Sequence, residues 1–123
     1  MDQGFPKARR LLRRWEFRLV YDTGTPYRNA GFHLFVRPRS QPGEETRIGI
    51  TVTRALGGAV VRNRLRRWTR ETFRLAYPRI KPGYDLVVNC HRRLGEARRD
   101  QFDRSFENVL EKAHLLEKLD ARD

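Results

Sequence analysis

Between Arg62 and Arg74 the chain places six arginines, Arg62, Arg64, Arg66, Arg67, Arg70 and Arg74, within thirteen positions, and Glu71 is the one acid among them. So many guanidinium groups cannot enter a core, because each buried charge without a partner is strongly destabilising. The segment must keep one side out of the protein, and its periodicity says which. Turned by about 100° per residue, Val61, Leu65, Trp68, Thr72, Leu75 and Ala76 gather within roughly a third of the helical circle. Arg62, Arg66, Arg67, Arg70 and Arg74 spread over the opposite side, with Arg64 at the border. Phe73 falls among the arginines, and the period does not account for it. Solvated helices relieve such repulsion with acids one turn away; here Glu71 alone is placed to serve Arg67 and Arg74. The arginine side asks for a polyanion, and the apolar stripe for a surface to lie on.

The flanking sequence supplies that surface as strands. In GFHLFVR, Phe32, Leu34 and Val36 share one face and His33, Phe35 and Arg37 the other; in RIGITVT, Ile48, Ile50 and Val52 alternate with Arg47, Gly49, Thr51 and Thr53. GYDLVVNC, after the Pro82–Gly83 turn, reads as a further strand. Residues 15–22, with Phe17, Val20 and Tyr21 at helical spacing, read as a short helix ended before Gly24 and Pro26. Asp100 to about Leu119 reads as a final helix striped by Phe102, Phe106, Val109, Leu110, Ala113 and Leu116, with Asp100 as N-cap and Asp103 as a charge suited to the first turn. DTGTPYRNAG, RPRSQPGEET and YPRIKPG read as loops. The order α-β-β-(β)-α-β-α predicts an α+β sandwich, one sheet with helices packed on it. The 123 residues suit one domain spanning 1–123, with residues 1–8 as a flexible tail.

Composition narrows the partner. The net charge is +12, and the basic residues are 23 Arg against 4 Lys, a bias toward the side chain that grips phosphate in bidentate fashion and stacks on bases. The surplus lies in residues 1–95, with 21 bases and 7 acids, whereas residues 96–123 carry 6 bases and 8 acids, so the C-terminal segment is not the expected binding surface. A major-groove helix would want a helix-turn-helix partner, but strands flank the arginine helix, and DNA is not the expected partner. A sheet face bearing His33, Phe35 and Arg37 beside that helix instead suits single-stranded RNA, with bases on aromatic rings and arginines along phosphates. For Phe35, stacking is preferred over packing beneath a helix; for Phe17 and Tyr21, one turn apart, core packing and groove lining are both open.

Catalytic signals are weak. Glu16, Glu71 and Asp85 lie on different elements, whereas a metal nuclease needs converging carboxylates. His33, His91 and His114 lack zinc-ligand spacing, and a single Cys cannot complete such a site. No catalytic or metal-ligating residue is therefore assigned. Cys90 is alone, so no disulfide forms within the chain and a reducing compartment is expected. Without an apolar leader or a membrane-length window, the expected location is cytoplasmic.

RIGITVTRALGGAVVRNRLRRWTRETFR closely resembles the signature of the bacterial ribonuclease P protein subunit, with Arg62, Asn63 and Arg64 as its RNR hallmark. The similarity extends upstream, with Arg10, Leu11, Phe17, Val20, Gly24 and Asn29 at family spacings, and downstream through KPGYDLVV. The resemblance implies an α+β fold with the arginine helix in a left-handed βαβ crossover. It implies association with a catalytic RNA that removes the 5′ leader of precursor tRNA by Mg²⁺-dependent hydrolysis, the metal being held mainly by RNA. By position, Phe17, Tyr21 and Phe35 would line the leader cleft, and Arg54, Arg62, Asn63, Arg64, Arg66, Arg67 and Arg70 would contact or face RNA. Two departures stand out: Ala55 follows Arg54 where the family commonly has two consecutive basic residues, and Phe35 replaces a common Tyr. The alternative is a non-catalytic protein associated with the ribosome or another RNA. A stand-alone protein nuclease is opposed by the lack of a carboxylate cluster.

Overall fold

The computed structural model describes residues 6–41 and 43–117. Its elements follow the order α1 (Arg14–Thr23), β1 (Thr25–Arg28), β2 (Phe32–Pro38), β3 (Arg47–Thr51), α2 (Ala59–Ala76), β4 (Tyr84–Cys90) and α3 (Arg99–Lys112). The four strands form one sheet in the order β1-β2-β4-β3. β1–β2 and β2–β4 are antiparallel, and β3–β4 is parallel with α2 as its crossover. This is the expected α+β sandwich, with helices on both faces of the sheet. Among the described residues no helix is long and apolar enough to cross a membrane. Residues 1–5 of the expected tail lie outside the described residues, and Lys7–Arg9 form a short 3-10 turn.

Strand alternation divides the core in two. Phe32, Leu34, Val36, Ile48, Leu86, Val88 and Cys90 face α2 and α3 and join Leu65, Phe73, Phe102, Phe106, Val109 and Leu110 in the main core. On the other face Leu11, Val20 and Val87 form a smaller cluster under α1, flanked by Phe17, Tyr21 and Phe35. Burial pushes the Cys90 thiol up to about 11, so it packs as a protonated core group. Asn29 ties the β1–β2 turn to α3: its Oδ1 accepts from the Gly31 and Phe32 N–H groups, and its Nδ2 donates to the Ser105 carbonyl and Asn108 Oδ1.

Three local expectations change. The loop DTGTPYRNAG contains β1, which lies at the sheet edge, the position that tolerates a proline such as Pro26, and Tyr27 packs it on the main core. The final helix stops at Lys112 rather than near Leu119, closed by His114 at φ 60°; the chain then turns so that Leu116 pairs with Ile80. Leu119 lies outside the described residues. Asp100 is not the N-cap but a first-turn residue, and the backbone N–H of the capping Arg98 donates to Gln101 Oε1 at 2.9 Å.

The main correction concerns the rotation of α2. Its buried residues are Leu65, Thr69, Phe73 and Ala76, whereas Leu75 is 66% exposed. The stripe is rotated toward the arginines because α2 packs on two surfaces at once. Thr69 and Phe73 turn to the sheet side. Trp68, expected against the sheet, turns to α3 and meets Phe102 edge-on at 5.4 Å. Thr72 donates to Asp103 Oδ1 at 2.8 Å. Glu71, expected to serve Arg67 and Arg74, instead pairs with Arg99 at 2.9 Å.

Candidate nucleic-acid interface

The sheet face under α1 carries three rows of side chains set by strand register. Arg37, Asp85 and Arg47 form a charged row; Pro26, Phe35, Val87 and Gly49 an apolar one; Arg28, His33, Asn89 and Thr51 a polar one. α1 lies across all three. Glu16 reaches the charged row, where Arg47 takes both Asp85 oxygens at 2.8 Å and meets Glu16 at 3.1 Å. Burial pushes the Glu16 carboxyl up, but the N–H groups of Arg13 and Leu12 and the Arg47 guanidinium outweigh it and hold the group below its ordinary value. Glu16 and Asp85, expected apart on different elements, thus converge on a guanidinium. Among the described residues no three His, Cys, Asp or Glu side chains group together to hold a metal.

The aromatic residues sit above the other two rows. Phe17 covers Gly49, and a Cβ at residue 49 would fall 2.5 Å from its ring carbon Cε2. The Tyr21 ring meets Phe35 edge-on at 4.9 Å, and its hydroxyl donates to Asn89 Oδ1 at 2.7 Å and lies 3.1 Å from Thr51 Oγ1. Phe17, Tyr21 and Phe35 are all half-buried. Packing and groove lining are not exclusive for these rings, since each packs on the Leu11, Val20 and Val87 cluster and stays partly exposed. The fold brings these three sequence-selected residues together.

The arginines of α2 divide into two rows as the helix rotates. Arg62, Arg66 and Arg70 are half-buried beside the packed stripe, with the Nε atoms of Arg62 and Arg70 enclosed and lacking a partner. Arg67 and Arg74 project into solvent. Arg66 and Arg70 border a hollow of about 260 Å³ with Arg10, Phe17, Gly49 and Ile50, so the inner row meets the aromatic cleft at the β3 edge. Arg10 was noted only for its spacing; its parallel bridge to Ile48 brings it here. Asn63 is exposed and accepts from Arg66 at 3.2 Å. Arg64 donates to the Gly95 carbonyl at 2.7 Å and lies 5.3 Å from the Trp68 ring. Arg54, with Ala55, lies exposed on the turn before α2, where Gly57 at φ 138° takes a conformation other residues resist.

Ion pairing sorts the arginines. Arg39, Arg47, Arg99 and Arg104 each meet a carboxylate within 4.0 Å. Among the described residues, Arg54, Arg62, Arg64, Arg66, Arg67 and Arg70 have none. Arg13, Arg14, Arg18, Arg28, Arg37, Arg74, Arg92 and Arg93 meet none either, so what sets α2 and the turn before it apart is how densely such arginines gather there.

A family model described as Ribonuclease P matches residues 5–114. The ribonuclease P protein component of Desulfovibrio desulfuricans is 40% identical over 95 residues, covering 77% of this chain and 73% of that protein. The corresponding component of Symbiobacterium thermophilum is 37% identical over 112 residues, covering 91% and 96%. Among solved structures, the RNase P protein of Staphylococcus aureus superimposes with a TM-score of 0.83 at 28% identity, covering 89% of this chain and 99% of that one. The RNase P protein of Thermotoga maritima gives 0.76 at 31% identity, covering 84% and 96%.

Proposed function

The chain belongs to the ribonuclease P protein family, and from that premise we propose that it assists a catalytic RNA in removing the 5′ leader of precursor tRNA in the cytoplasm. In this reading the protein binds RNA twice. The cleft of Phe17, Tyr21 and Phe35 holds the single-stranded leader, with bases against accessible ring faces. Arg62, Arg64, Arg66, Arg67 and Arg70 of α2, with Arg54 and Asn63, contact or face RNA. The inner row at Arg66 and Arg70 lies where the two surfaces join, so a strand leaving the cleft passes directly onto guanidinium groups.

The observation that carries this reading is the density of unpaired charge: among the described residues, none of the arginines facing RNA in this reading meets a carboxylate, and all lie on one helix and the turn before it. Seven arginines without a carboxylate among the described residues, Arg74 included, repel one another around one helix and the turn before it, and a phosphate backbone relieves that repulsion while releasing its counterions. The reading leaves phosphodiester hydrolysis to the RNA. Mg²⁺ does not fit the side chains present, since the converging acids Glu16 and Asp85 are already bridged by Arg47. The test is cleavage of precursor tRNA by the cognate catalytic RNA at low salt and physiological Mg²⁺. Adding the chain raises kcat/KM in this account; equal rates with and without it refute the assignment.

A further inference from the structure

The open end of the polar row takes no part in the reading above. Arg28, His33 and Asn89 stand side by side on β1, β2 and β4, and the Tyr21 hydroxyl engages this row at Asn89. Toward β1, Pro26, Tyr27, Arg28, His33 and Phe35 surround a hollow of about 290 Å³ with no acid in its lining. One wall is aromatic. The His33 ring lies 4.4 Å from Phe35, which lies 4.9 Å from Tyr21, so the three rings run without a break from the cleft into the hollow. The rim is cationic, since Arg28 is exposed and has no carboxylate partner among the described residues. The His33 imidazole makes no hydrogen bond to a described residue. Burial, and after it Arg28, hold that imidazole below its ordinary value, so near neutral pH one nitrogen donates and the other accepts.

A flat ring wall and a guanidinium at the rim match the base face and the phosphate of one nucleotide, and the in-plane imidazole nitrogens stay free for a neighbouring ribose or base edge. We infer that this hollow is a nucleotide subsite at the outer end of the cleft, where one base of single-stranded RNA stacks on His33 while Arg28 holds its phosphate. The inference rests on the leader-cleft reading, because the ring run begins at Tyr21 and Phe35. It makes His33 a residue that reads leader length one nucleotide beyond the cleft.

The test uses holoenzyme assembled with its catalytic RNA and precursor tRNAs whose leaders grow one nucleotide at a time. Affinities are compared for wild type, Phe35→Ala, His33→Ala, His33→Gln and Arg28→Ala, with a thermal melt for each protein. Phe35→Ala is expected to weaken every leader that reaches the cleft. His33→Ala and Arg28→Ala should leave shorter leaders at wild-type affinity and remove the gain from one further nucleotide, a loss of roughly 5- to 150-fold for the stacking residue. An abasic nucleotide at that position should cause the same loss in wild type and none beyond it in His33→Ala. If His33→Ala lowers the melting temperature, His33→Gln and the exposed Arg28→Ala read the subsite instead. A leader-specific loss in Phe35→Ala with wild-type behaviour of Arg28→Ala and the His33 variants at all lengths overturns the subsite and leaves the cleft standing. An equal loss for mature tRNA in Phe35→Ala overturns the cleft and the subsite with it.

Discussion

Gly49 lies opposite Val87 in the parallel pair, and the Phe17 ring occupies the space where a side chain would begin. An added methyl group has two rigid neighbours to displace, since Leu11 Cδ1 lies 3.2 Å from the same point. Gly49→Ala is therefore expected to lift Phe17 off the sheet and lower stability by about 1–3 kcal/mol, measured by urea unfolding, and Phe17→Leu in the same chain should restore part of it. Titration acts at this scale too. His33 and Glu16 both have folded-state values below their ordinary 6.5 and 4.5, so the unfolded chain binds more protons in each window. Stability present above those values is lost on acidification, first through His33 and then through Glu16. Between pH 7 and 5 the wild-type melting temperature should fall, and His33→Gln should flatten that fall. An unchanged slope would mean that the imidazole is as readily protonated folded as unfolded.

Helix α2 shows how packing on two surfaces sets which residues a period exposes. Leu65→Ala is expected to cost about 2–5 kcal/mol and Phe73→Ala about 3–5 kcal/mol, because both are 0% exposed. Leu75→Ala should stay within about 0.5 kcal/mol. The stripe read from the period alone gives the opposite order for Phe73 and Leu75, so denaturant unfolding of this pair measures the rotation of the helix. Replacing Arg62, Arg66 and Arg70 together with Ala should keep the fold and flatten the log–log salt dependence of RNA affinity by roughly 0.7–0.9 per lost phosphate contact. The strands β2, β3 and β4 were legible because alternation of side chains fixes their faces without further information. α2 was legible as a helix, but its rotation was not, since a period locates an apolar stripe and cannot anticipate the second surface supplied by α3. The order allows a third strand before the arginine helix, but its place is not legible, because Pro26 and the neighbouring glycines read as turn residues and only pairing with β2 makes β1 a strand. The aromatic cleft was visible as residue types, whereas Arg28, Arg10 and the Glu16–Arg47–Asp85 bridge depend on strand register, which no single segment encodes.

Across the whole molecule the two surfaces proposed to meet RNA are distinct in chemistry and continuous in space. The cleft is half-buried and aromatic, α2 is arginine-rich, and they meet at the β3 edge. The central claim, that the cleft serves the leader and not RNA in general, separates these surfaces by substrate. Holoenzyme carrying Phe35→Ala, shown by its thermal melt to be folded, is compared with wild type for equilibrium binding of precursor tRNA with a leader of several nucleotides and of mature tRNA. The account predicts a loss of about 1–3 kcal/mol for the precursor, the worth of a lost base stack, with mature tRNA bound as in wild type. An equal loss for both substrates would place Phe35 in the core or at the contact with the catalytic RNA and contradict the account.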